Sequence, residues 1–398
     1  MTNGRRATTL RTRRMKVILH IGMTKAGSSA LQAGLFAVRK QLMDSGVLYP
    51  VRGRARNSHV LLLYGLVPPE RLPRGLRHLH GNNIHAIEGE MHDWLLDLQG
   101  IIRASQPQTL ILSEEFLFYV IDQEAQISLR DRLCSLGGRT IDVVVYVRRP
   151  SDHYLASIQQ LLKASHRLPG PNPIEYRRTI DGYAKHVADS VNVIKYDRSN
   201  WPGADILRQF LDSFVPQANV SILESSREVN RSLSSEAMSL LAEYRRSIWP
   251  EAHNQFTTDT DRLVRALELS DVEVTGGAAP RLHEEIARRI DEASTDLLWL
   301  RDTHGITFDG VDYSEIGLAP GRRPPIHHVE DICPIDPDRR RELTSRAFYH
   351  LAREEVAAPR PAMGSPRDAA IPSAGCIGGR IAGLFNRRRR HPTEGARR

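Results

Sequence analysis

The stretch Leu19-His20-Ile21-Gly22-Met23-Thr24-Lys25-Ala26-Gly27-Ser28-Ser29-Ala30-Leu31-Gln32 decides the fold of this chain. It follows the apolar run Val17-Ile18-Leu19 and opens a helical pattern with Leu31, Leu35, Val38 and Leu42 on one face. Strand, glycine-bearing turn, lysine, hydroxyls and helix start, in that order, build a cradle for an anion. Backbone N–H groups of the turn and of the helix N-terminus point at a phosphate, and Lys25 adds a point charge. The nucleoside-triphosphate version needs Lys directly before Ser or Thr so that the hydroxyl holds Mg²⁺. Here Lys25 precedes Ala26-Gly27, and no Gly-Lys-Ser/Thr run occurs in the chain. An ordinary strand-to-helix turn is the plain alternative.

A second junction lies further along. Thr140-Ile141-Asp142-Val143-Val144-Val145-Tyr146-Val147 reads as a strand buried on both faces. It runs into Arg148-Arg149-Pro150-Ser151-Asp152 and a helical stretch carrying Tyr154, Ser157, Ile158 and Leu161. Proline suits a first helical turn and aspartate complements its positive end. Taken alone, two arginines at a strand end are most often a solvated pair.

At 398 residues and 40% hydrophobic content the chain can bury a large core. The net charge of +8 has to be divided. Residues 1–14 hold five arginines and no acids, and residues 357–398 hold nine arginines against Asp368 and Glu394. The ends therefore carry +12 and the body about −4, which argues against nucleic acid as a partner, since the positive surface is not on the body. We expect a disordered basic extension over 1–14, a folded domain over 15–356 and a disordered basic tail over 357–398. In the tail, Ile377, Ile381, Leu384 and Phe385 precede Arg387 to Arg390 at helical spacing. That pattern points to a weak membrane-surface contact, opposed by the glycines at 378, 379 and 383. No apolar run reaches the roughly 18 residues that span a bilayer, and the basic N-terminus lacks a signal peptide's apolar centre. Cys134, Cys333 and Cys376 form no metal or disulfide pattern, so a cytoplasmic location is expected.

Between the ends, strand and helix patterns alternate, which implies a mostly parallel sheet with helices on both faces. Short strands are read at 46–50, 109–115 and 191–196, helices at 82–105, 204–214 and from Ser234, and an irregular lid or insertion at 250–280. Further helices are read at 281–303 and 338–355.

Over residues 15–308 the chain resembles bacterial sulfotransferase-family proteins related to carbohydrate sulfotransferases. The resemblance rests on His20-Ile21-Gly22 with Lys25-Ala26-Gly27-Ser28-Ser29, Gly46-Val47-Leu48-Tyr49-Pro50, Ser113-Glu114-Glu115-Phe116, Arg148-Arg149 with Ser157, and Asn230-Arg231-Ser232-Leu233-Ser234. It implies an α/β, P-loop-like three-layer fold and transfer of a sulfuryl group from 3′-phosphoadenosine 5′-phosphosulfate to a hydroxyl, with a glycan as acceptor and no metal. On the same resemblance, Thr24, Lys25, Ala26, Gly27, Ser28 and Ser29 hold the 5′-phosphosulfate, and Arg148 and Ser157 hold the 3′-phosphate. The usual spacing falls on Ala156, one residue short of Ser157, and Ala26 replaces the usual Thr or Ser. Asn230, Arg231 and Ser232 reach the donor from the far side, or Ser232 and Ser234 simply cap a helix.

The reaction also needs a base for the acceptor hydroxyl. Glu115 stands at a strand end, where open α/β sheets place their sites, while strand alternation sends either it or Glu114 away. His59, after the second strand, has the right intrinsic pKa, and His20 reads as a packed core residue. Two other readings remain: a P-loop phosphotransferase and a non-catalytic nucleotide-binding protein.

Overall fold

The apolar β-branched runs become strands: β1 Met15–His20, β2 Val47–Leu48, β3 Thr109–Ser113, β4 Gly138–Val147 and β5 Ser190–Lys195. The computed structural model describes residues 15–51, 57–201, 203, 205–218, 220, 232–318 and 325–357. All five strands are parallel, in the order β2-β3-β1-β4-β5. Central β1 pairs with β3 (Val17 opposite Leu110) and with β4 (Val17 opposite Ile141). Val17, Ile18 and Leu19 are fully buried, as a strand covered on both faces requires.

Helices flank the sheet. They are α1 Ser28–Asp44, α2 Arg74–Leu79, α3 Ile84–Ser105, α4 Gln123–Ser135, α5 Pro150–Leu162, α6 Tyr176–His186 and α7 Ile206–Phe214. After them come α8 Ser235–Ile248, α9 Thr258–Glu273, α10 Glu284–Glu292, α11 Asp296–His304 and α12 Pro337–Ala357. Local chemistry sets several ends. Asn83, Asp122, Asp205 and Ser234 each accept a first-turn N–H at the starts of α3, α4, α7 and α8.

Two apolar cores result. The larger surrounds the sheet, with α1, α3, α4, α6 and α7 contributing. The smaller joins α5, α8, α9, α10 and α12, with Tyr154, Ile158, Met238, Leu267 and Ile290 among its members. Helix α5 leaves β4 yet packs into the smaller core, so the Arg148-Arg149 junction stands where the two meet. Residues 1–353 form one compact unit, and of the other, residues 354–398, only 354–357 are described, as helix.

Two readings of the sequence need correction. Residues 250–280 are not an irregular insertion: α9 occupies most of them and buries Val264, Ala266 and Leu267. Its charged residues obscured the apolar face. The single helix read over 281–303 is two, α10 and α11. Ser294 Oγ donates to the Ile290 carbonyl between them, closing the first helix. No described helix is long and apolar enough to cross a membrane. The basic extension, the tail with Ile377 to Arg390, and Asn230 and Arg231 lie outside the described residues.

Candidate functional site

The loop after β1 turns sharply because Lys25 (φ 63°) and Gly27 (φ 85°) both take left-handed backbone conformations. Glycine is required at 27 on a second count. A Cβ there would stand 2.6 Å from Tyr196 Cε2 and 2.7 Å from Ile206 Cδ1. No side chain caps α1, and Ser28 Oγ at its first position is buried with no partner among the described residues. An uncapped helix start with an orphaned hydroxyl, at the C-terminal edge of the central strand, suits an anion. Of the other loop residues, Ala26 is fully buried and Ser29 is exposed.

Lys25 and Arg148 converge on this loop. Arg148 Nη1 donates to the Lys25 carbonyl (2.7 Å), and its guanidinium lies 5.6 Å from the Tyr196 ring centre. Its amide N–H points at the Met23 sulfur (3.2 Å), and the Tyr176 hydroxyl donates to its carbonyl (2.6 Å). Lys25 Nζ donates to Gln160 Oε1 (3.3 Å). Burial chiefly, then the charges of Lys163 and Arg148, hold the Lys25 pKa below its ordinary value, against the pull of Glu115.

Arg149 goes the other way. Its Nε donates to Asp291 Oδ2 (2.8 Å), and its Nη atoms donate to the carbonyls of Asp309 and Gly310. Asp291, only 2% exposed, also accepts from the Ser151 amide and hydroxyl, both at 3.0 Å. The junction therefore divides its two arginines: Arg148 to the loop, Arg149 to an anchor on α10.

Neither Glu114 nor Glu115 lies on the strand whose alternation was expected to separate them. Strand β3 stops at Ser113; Glu114 is buried and accepts the Phe116 N–H, and Glu115 begins the 3₁₀ turn Glu115–Tyr119. Gln32 Nε2 donates to Glu115 Oε2 (2.9 Å) and to Ser113 Oγ (3.2 Å), which lies 2.7 Å from His20 Nδ1. Ser113 Oγ accepts from Gln32 and shares a hydrogen bond with His20 Nδ1, while the other ring nitrogen, Nε2, is buried with no partner among the described residues. That nitrogen faces Gly22, where a Cβ would stand 2.3 Å away. His20 is fully buried, as read from the sequence, and burial lowers its pKa to about 3.

His59 is 1% exposed, and main chain occupies both of its ring nitrogens. Nδ1 accepts the Ser113 N–H (2.9 Å) and Nε2 donates to the Pro50 carbonyl (3.0 Å). The ring packs between Tyr49 and Trp94. The structure thus gives His59 a joining role between the β2 exit and the end of β3, while Glu115 lies in the field of Lys25.

Ser157 lines a cavity of about 430 Å³ beside α5, together with Tyr119 and His153. Thr24 Oγ1 shares hydrogen bonds with the Tyr119 hydroxyl (2.9 Å) and with His153 Nε2 (3.2 Å). Burial first, then Arg148 and Lys25, lower the His153 pKa to about 4, so the ring is neutral at pH 7. Tyr119, His153, Gln32 and Gln160 were not singled out in the sequence. The i, i+7 pairing of His153 with Gln160 on α5, facing the lysine loop, was the available signal.

No protein-family profile, curated protein or solved structure matches this chain.

Proposed function

We propose that the protein transfers a sulfuryl group from 3′-phosphoadenosine 5′-phosphosulfate to the hydroxyl of an acceptor. One observation carries the reading: Lys25, Arg148 and the uncapped start of α1 with its orphaned Ser28 hydroxyl meet at one strand end. A donor with phosphates at both ends of its ribose needs two cationic points. Lys25 with the Gly27–Ser29 amides suits the 5′-phosphosulfate, and Arg148 suits the 3′-phosphate.

The acceptor oxygen forms a bond to sulfur as the bond from sulfur to the bridging phosphate oxygen breaks. Charge then develops on the departing bisphosphate, where Lys25 and the loop amides stabilise it. Glu115, held by Gln32, takes the acceptor's proton. The resemblance assigns Thr24, Ala26, Ser157 and Arg231 to the donor as well.

Calorimetry without metal tests the donor. A charge-assisted pair to the 3′-phosphate contributes on the order of 1.5–3 kcal/mol. Adenosine 3′,5′-bisphosphate should therefore bind roughly ten- to a hundredfold more tightly than adenosine 5′-phosphate. Arg148→Ala should erase that preference, and Lys25→Ala should keep it while abolishing transfer. Indifference to the 3′-phosphate together with binding of Mg²⁺–nucleoside triphosphate would establish the phosphotransferase reading instead.

A further inference from the structure

The cavity beside α5 reaches the loop through Tyr119 and His153, which line it and bond Thr24. Its volume, about 430 Å³, lies in the range of small-ligand sites. Phe118, Ile158, Leu161, Ile174 and Ile290 give it an apolar wall. Ser157, which the resemblance gives to the donor, and Asn172 also line it, and its other polar side chains are already engaged. Thr179 Oγ1 donates to the Phe118 carbonyl, the Tyr154 hydroxyl donates to the Pro169 carbonyl, and Glu175 accepts from Arg178. A sugar ring buried there would lose hydrogen bonds to water and find few replacements. An apolar body would lose nothing and gain the burial.

We propose that this cavity is the acceptor site and that it takes an alcohol or phenol with an apolar body, its hydroxyl at the Tyr119 and His153 end. This rests on the transfer reading above and replaces a glycan by an apolar hydroxyl compound. The hydroxyl end is also the end nearest the chemistry: Tyr119 bonds the lysine loop and feels the charge of Glu115.

The test is calorimetry on protein saturated with adenosine 3′,5′-bisphosphate, titrated with 4-ethyl-, 4-butyl- and 4-hexylphenol and with methyl glucoside. Affinity should rise about fourfold per methylene until the cavity is filled, and the glucoside should show no binding. Leu161→Trp, and separately Ile174→Trp from the facing loop, should weaken hexylphenol at least tenfold, with circular dichroism reporting that each variant is folded. Glucoside binding without phenol binding, or hexylphenol affinity unmoved in both folded variants, overturns the proposal. Bisphosphate binding with no phenol binding refutes the cavity assignment alone. Phenol binding that the tryptophans block, in a protein indifferent to bisphosphate, refutes the transfer reading and leaves the cavity's ligand class standing.

Discussion

Asp291→Ala is the sharpest structural test of how the arginine junction is held. The carboxylate is 2% exposed and takes three hydrogen bonds, from Arg149 Nε and from the Ser151 amide and hydroxyl. Burial pushes its pKa up, against Arg149 and both Ser151 contacts, and buried pairs of this kind are often no net gain over an apolar filling. Removing one partner is another matter. A broken buried pair costs about 3–5 kcal/mol, and an unsatisfied buried donor such as the Ser151 amide costs about 1–3. Arg149 keeps the Asp309 and Gly310 carbonyls and is 21% exposed, which places the loss at the low end, about 3 kcal/mol. Urea unfolding at pH 7, followed by circular dichroism, measures it. Asp291→Asn should lose nearly as much, because its NH₂ would face the Arg149 donor or leave Ser151 unpaired. Losses under about 1 kcal/mol in both variants would show that the junction is held by apolar packing and would refute the anchor argument.

Glu115→Gln should leave bisphosphate affinity within a few-fold of wild type and lower turnover by roughly two to four orders of magnitude, measured with labelled donor; unchanged turnover would remove Glu115 from the mechanism. Stability should fall with acid: unfolded His20 takes a proton near its ordinary pKa of 6.5, whereas in the fold it does so only at about 3. The unfolded chain thus binds more protons throughout that window, so stability is full above pH 6.5 and drains away toward pH 3, with about 2 kcal/mol lost by pH 5. His153, lowered to about 4, acts in the same direction. A flat urea profile between pH 7 and pH 5 would contradict the burial of both rings.

The glycine turn after β1, the parallel sheet and the strand-to-helix junction at Arg148-Arg149 were legible in the sequence because each is written in short-range terms. Buried strands show β-branched runs, a helix start shows its cap or its glycine, and Ser234 was readable as a cap from its place before an apolar period. Sequence alone also established that the body is acidic and the ends basic. The resemblance picked Arg148, but what Arg149 does was not legible, since its partner Asp291 stands 142 residues further on. The same holds for His59, whose ring is claimed by the carbonyl of Pro50 and the amide of Ser113, and for Glu115, whose partner Gln32 lies one turn into α1. His153 went unnoticed because its meaning depends on Thr24, 129 positions earlier. Periodicity and capping act over a few residues and survive in the linear chain. The desolvation and pairing that decide a titratable group's role arise only when the parallel sheet brings distant strand ends to one edge.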